Sequence, residues 1–157
     1  MKVFWAALAF ACGLAGAAFA QTPSQKPVKV VFFTADWCPN CRFLAPRLTE
    51  AMQRVDSAER IDIDITNAKT WDDSLERALD KGIVRPYNAF VGTTGFAVIT
   101  ASDTGETIGC VNAIFESAAI ERLIRRGVER VRTLPAGQRA LARDSTCPKE
   151  RAPPPRA

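Results

Sequence analysis

The sequence of 157 residues contains no histidine. That removes imidazole from every role it commonly fills: a zinc site would have to be built from cysteines alone, and no imidazolium can stand beside a thiolate to hold its charge. Cys38 and Cys41 would then need Cys110 and Cys147 as third and fourth ligands at wide, unpatterned separations, so no metal site is expected. Charge is nearly missing from the beginning of the chain, where Lys2 is the only charged residue among the first twenty. The poverty in apolar residues that marks a disordered chain is missing too. With 47% hydrophobic and 24% charged residues, the composition fits one globular domain with a real core and some tail.

What the start of the chain does hold is an Ala-rich apolar stretch from Val3 that ends in Ala18-Phe19-Ala20, small residues flanking a larger one. This pattern reads as a secretory signal peptide over residues 1–20, cleaved before Gln21. The alternative is an uncleaved anchor, because Val3 to Ala20 approaches a bilayer span in length, but its alanines and glycines make it only weakly hydrophobic. Cleavage would remove Cys12 and leave no stable membrane insertion. A mature chain with four cysteines in a periplasmic or secreted setting is one in which disulfides persist. Residues 21–27, with two prolines and no apolar run, form a linker.

The formal charge of +4 is unevenly placed. From Gln21 to Glu121 there are 10 basic against 14 acidic residues, and from Arg122 to Ala157 there are 10 against 3. The expectation is a mildly acidic domain with a basic, solvated tail that does not bind nucleic acid.

The organising stretch runs from Val30 to Pro46. An unbroken run of β-branched and aromatic residues, the end of a strand over Val28 to Thr34, gives way to a polar turn. Cys38-Pro39-Asn40-Cys41 then opens a segment with Phe43, Leu44, Leu48, Met52 and Val55 at helical spacing, and Pro46 kinks that helix. A cysteine at such a junction faces the free N–H groups and positive dipole end of the helix, which stabilise a thiolate and lower its pKa moderately.

Downstream, Ile61 to Ile65 alternates as a half-exposed strand, and Thr70 to Lys81 reads as an amphipathic helix capped by Thr70, with Leu75, Ala78 and Leu79 inward. Ile83 to Gly95 is a loop broken by Pro86, Gly92 and Gly95. Phe96 to Thr100 and Thr107 to Val111 form a hairpin about a turn at Ser102 to Gly105. A helix from Ala113 to Arg126, stopped by Gly127, closes the domain at residues 28–127. Residues 128–157 are expected to be a basic, Pro-rich, largely disordered tail with a short helix near Gln138 to Arg143. Cys110 reads either as a small buried hydrophobe or as the partner of Cys147 in a second disulfide. Trp71 reads as a packing residue at a helix start.

This order of elements resembles the thioredoxin superfamily. The match is carried by Trp37 directly before Cys38, by the Cys38-Pro39-Asn40-Cys41 motif, by Pro46 five residues after the second cysteine, and by a hairpin followed by a last helix. The resemblance implies an α/β, thioredoxin-like fold with a mixed central sheet flanked by helices. It implies Cys38 as nucleophile, Cys41 as resolving thiol, and Trp37, Pro39 and Asn40 as motif and docking residues, with no cofactor. The loop residue that faces the dithiol, usually a cis-proline in this family, falls at Gly95 or at Pro86 according to register. Family members usually carry a buried carboxylate six residues before the first cysteine, where this chain has Phe32.

The function implied is a cell-envelope thiol–disulfide oxidoreductase acting on protein thiols and disulfides. Oxidants of the secretory pathway carry a helical insertion, and only thirty residues separate Ile65 from Phe96, so reduction or relay from a membrane-bound electron donor is favoured over oxidation. The competing reading is a non-catalytic thioredoxin-like adaptor whose basic tail binds a partner. Thiol titration and reductase activity on a model disulfide separate the two.

Overall fold

The structure is a computed structural model that describes residues 25–141 and 147–151. The signal-peptide reading, most of the linker and the Pro-rich end lie outside the described residues. Eight elements follow in order: β1 (Val28–Thr34), α1 (Pro39–Met52), β2 (Ala58–Asp64), α2 (Ala68–Asp80), α3 (Val84–Phe90), β3 (Phe96–Ala101), β4 (Thr107–Asn112) and α4 (Ser117–Thr133). The sheet order is β2-β1-β3-β4, with β1 and β2 parallel and the other pairs antiparallel.

Strand β1 lies inside the sheet and is covered on both faces, which is why its sequence is apolar without alternation. Phe33 stacks on Phe96, its neighbour in β3, and meets Phe90 of α3 edge-on. On the opposite face Phe32 shares its side with Arg60 of β2 and Ile99 of β3, beneath α1 and α4. Lys29 is buried in this strand because its ammonium donates to the Lys81 carbonyl at 2.6 Å, at the electronegative end of α2.

Several expectations need correction. The stretch read as a loop contains α3, a helix of seven residues whose buried Pro86, Tyr87 and Phe90 give it too little length for a periodic signal. Asn67, not Thr70, caps α2, and Thr70 closes the reciprocal bond three residues in. Leu75 and Leu79 point outward; the buried side of α2 is Ser74 and Ala78. The Ser74 hydroxyl accepts from the Asp64 N–H at 2.9 Å and donates to the Asp64 carbonyl at 2.8 Å, which seats the small-residue face of the helix on β2 and turns the leucines away. Phe43 is likewise 61% exposed, since α1 buries Cys41, Leu44, Leu48 and Ala51 instead.

Helix α4 runs through Gly127 to Thr133. A Cβ at Gly127 would stand 3.0 Å from the Ile99 side chain, so this glycine lets the helix approach the sheet and does not end it. Pro135, just past the last turn, sits where a helix cannot continue.

The described part of the tail packs against the domain. Leu141 donates its N–H to the Ile108 carbonyl at 2.6 Å along the free edge of β4, and Arg139 is buried with its guanidinium on both Asp103 carboxylate oxygens at 2.7 and 2.8 Å. Arg130 donates to the Gln138 and Arg139 carbonyls. Residues 138–141 form no helix, because their backbone is spent on these tertiary contacts. The basic residues that composition marked as a solvated tail are in part the groups that bind it down. Among the described residues no helix is long and apolar enough to cross a membrane.

Candidate active site

The site forms where β1 ends and α1 begins. The turn Ala35-Asp36-Trp37 carries the chain off the sheet, and the Cys38 N–H returns to the Ala35 carbonyl at 3.1 Å. Cys38 has extended backbone angles and caps α1: its sulfur accepts the Cys41 N–H at 3.1 Å. Pro39 occupies the first helical position, where its missing N–H costs nothing and its fixed φ suits a helix start. Asn40 follows, and Cys41 lies one turn in, bonded to Cys38 as a disulfide. A sulfur in an N-cap role receives the backbone donor that would stabilise a thiolate there once the disulfide is reduced.

Cys38 is only 3% exposed. The cover comes from the loop before β3. Gly95 donates its N–H to the Phe33 carbonyl at 3.0 Å, and a Cβ built on it would stand 2.9 Å from the Asn40 Cβ and 3.5 Å from the Cys38 sulfur. Its φ of +89° belongs to the region that favours glycine. Gly95 is thus the loop residue that faces the dithiol. Pro86 is elsewhere, buried in α3 beside the hairpin turn at Gly105, and the described residues contain no cis peptide bond.

The turn is buttressed from β2. Asp64 accepts from both the N–H and the hydroxyl of Thr66, at 2.8 and 2.5 Å; the Thr66 hydroxyl accepts the Asp36 N–H at 2.9 Å, and its carbonyl accepts the Trp37 indole N–H at 3.4 Å. Trp37 therefore lies across the β2–α2 corner, one residue before Cys38, and is 60% exposed. Asp64 and Thr66 were not singled out from sequence. The Asp-x-Thr spacing, in which an aspartate bonds the backbone two residues on, is the signal that could have found them.

Cys41 has two kinds of neighbour. Its sulfur is 3.8 Å from the Phe33 carbonyl, the same carbonyl that receives Gly95. On the other side a shallow open groove lined by Thr34, Ala35, Asp36, Cys41, Arg42 and Ala45 reaches it. Phe32, on β1 beneath α1, is 2% exposed, with the Arg60 guanidinium carbon 5.3 Å from its ring centre. Cys110 and Cys147 form a second disulfide, between β4 and the tail. The described residues hold no cluster of three or more metal-ligating side chains.

A parallel β1–β2 pair, a crossing α1 with a Cys-X-X-Cys at its start, an antiparallel β3–β4 hairpin and a closing α4 are now in place, and the thioredoxin family's sequence profile matches residues 12–78. The fold is thioredoxin-like. Solved structures with a similar chain trace include a thioredoxin pre-protein of Schistosoma mansoni, 26% identical over 66% of this chain and 81% of its own, with a TM-score of 0.43. A secreted disulfide oxidoreductase of Mycobacterium tuberculosis is 19% identical over 64% of this chain and 82% of its own (TM-score 0.44). A thiol:disulfide interchange protein of Chlorobium tepidum is 17% identical over 66% and 81% (TM-score 0.46). No curated protein matches the sequence significantly.

Proposed function

We propose that this thioredoxin-like protein is a cell-envelope thiol–disulfide oxidoreductase that reduces protein disulfides or relays electrons to them. The observation that carries the reading is the Cys38–Cys41 disulfide at the start of α1, with the Cys38 sulfur placed as the helix N-cap. In the reduced protein the Cys38 thiolate attacks one sulfur of a substrate disulfide and the other sulfur leaves as a thiol. Cys41 loses its proton and attacks Cys38, the second substrate thiol departs, and the protein is left oxidised. Two electrons and two protons have passed to the substrate; a dithiol donor at the membrane restores them. Trp37 and the Gly95 loop form the surface on which the substrate chain lies. Export by cleavage before Gln21 belongs to this proposal and supplies the compartment in which such exchange is useful.

The test is a pair of variants. Cys38→Ser abolishes reduction of insulin disulfides by the purified protein, while Cys41→Ser accumulates a mixed disulfide with the substrate, visible by mass. Faster alkylation of Cys41 than of Cys38 near neutral pH would reverse the assigned roles. A parent protein inert toward insulin would leave the adaptor reading standing. Recovery of the mature chain from the envelope fraction with Gln21 at its N-terminus checks the location.

A further inference from the structure

The last described residues return to the end of α3 by a route that sequence spacing does not reveal. After α4 the chain is fixed along the β3–β4 hairpin. Glu106 receives the Gly137 and Arg139 N–H groups at 2.9 and 3.1 Å, Asp103 holds the Arg139 guanidinium, and Leu141 bonds to the edge of β4. Cys147 is then tied covalently to Cys110 of that strand. Four residues on, Arg151 reaches the end of α3: its N–H donates to the Ala89 carbonyl at 2.8 Å and its guanidinium to the Val91 carbonyl at 2.7 Å. These carbonyls lie in the last turn of a short helix and at its C-cap, where acceptors have no partner within the helix and a cation is favoured.

Val91 is the residue from which the covering loop departs. Between it and β3 lie only Gly92, Thr93, Thr94 and Gly95, with both glycines at positive φ. A Cβ at Gly92 would stand 3.0 Å from the Arg151 guanidinium nitrogen, so the backbone there leaves room for that side chain. A four-residue segment with a glycine at each end has little stiffness of its own, and its place is set by its anchors. One anchor is the Phe33 carbonyl under Gly95. At its start the Thr93 N–H donates to the Phe90 carbonyl at 3.1 Å, and Arg151 holds the Ala89 and Val91 carbonyls on either side of Phe90.

We infer that Arg151, held by the Cys110–Cys147 disulfide, is a positioning residue for the dithiol site: it fixes the end of α3 and so sets how the Gly92–Gly95 loop lies over Cys38. The inference rests on the dithiol-exchange reading for its kinetic consequence, but its structural half can be measured without any activity. A strap of this kind acts on docking of a protein chain against the loop and leaves attack by Cys38 on a small disulfide alone.

The experiment compares the full-length parent with Arg151→Ala, Arg151→Lys and the double variant Cys110→Ser/Cys147→Ser. In Arg151→Ala, amide exchange at Thr93 and Gly95, followed by NMR, accelerates by about tenfold, while the β1 amides keep their protection. The KM for insulin rises by about fivefold with kcat little changed, and the rate with dithionitrobenzoate stays at the parental value. Arg151→Lys, which keeps a cation at the helix end, falls between parent and alanine variant. The disulfide variant repeats the alanine signature. Unaltered exchange at Thr93 and Gly95 in folded Arg151→Ala overturns the inference, and unaltered exchange in the disulfide variant overturns the tether. If the parent itself does not reduce insulin, the functional reading fails, and the exchange measurement still decides the strap.

Discussion

Cys41 needs somewhere to send its proton when it resolves a mixed disulfide, and Phe32 offers nothing. The ring is buried on the α1 side of the sheet, and burial without an acceptor disfavours a second thiolate. Replacing it tests the point: Phe32→Asp loses a few kcal/mol of stability by putting a carboxylate where an aromatic ring was. The Arg60 guanidinium, 5.3 Å from the ring centre and bonded to Asp62, stands beside the new carboxylate. In stopped-flow, release of a preformed mixed disulfide at Cys38 accelerates by about tenfold in the folded variant. An equal or slower rate would mean that water in the groove beside Asp36 already takes the proton. Most of this site was legible residue by residue, because Trp37, Cys38, Pro39, Asn40 and Cys41 adjoin in sequence. Asp64 and Thr66 were not: they reach the turn across the sheet, and their own neighbourhood shows only a strand end.

At the scale of elements, the helices show how far periodicity carries. In α2 the pattern gave the helix but the wrong face, since Trp71, Leu75 and Leu79 form an outward stripe while Ser74 and Ala78 meet β2. The burial of small residues is decided by how closely helix and strand approach, a distance that hydropathy does not encode. Gly127 makes the same point in α4, read as a stop but serving as a gap for Ile99. Gly127→Val puts a branched side chain into that contact and lowers unfolding free energy by about 2 kcal/mol. Urea titration measures it as a lower midpoint at unchanged slope; an unshifted midpoint would show that α4 can lift from the sheet at no cost.

For the whole molecule, the strap adds a dependence on acid. The Arg139 guanidinium beside Asp103 holds its carboxyl below the usual carboxylate range. A lowered folded-state value stabilises the protein above the unfolded value, near 4 for aspartate, and that stability is lost as pH falls through the lowered folded value. Because the Asp103 side chain is half exposed, the contribution is no more than about 1 kcal/mol. Asp103→Asn should therefore be less stable than the parent between about pH 5 and 7, with the gap closing below about pH 3. Denaturant midpoints over that range are the check, and a gap that persists in acid would assign the loss to packing of Arg139.

The sequence by itself determined the order of the four strands and of α1, α2 and α4, the buried character of β1 and the pairing of a Cys-X-X-Cys with a helix start, because each is written in contiguous residues through hydropathy, proline and cysteine spacing. Tertiary structure alone decided that Gly95 and not Pro86 faces Cys38, that Cys38 is covered, and that Cys110 pairs with Cys147. It also decided that the basic tail packs back on the β3–β4 hairpin and the end of α3. Those outcomes depend on which distant backbone groups lack partners once the sheet has formed. A buried carbonyl or a free helix end draws in whatever donor the chain can bring to it, and the address of that donor appears only when the chain is folded.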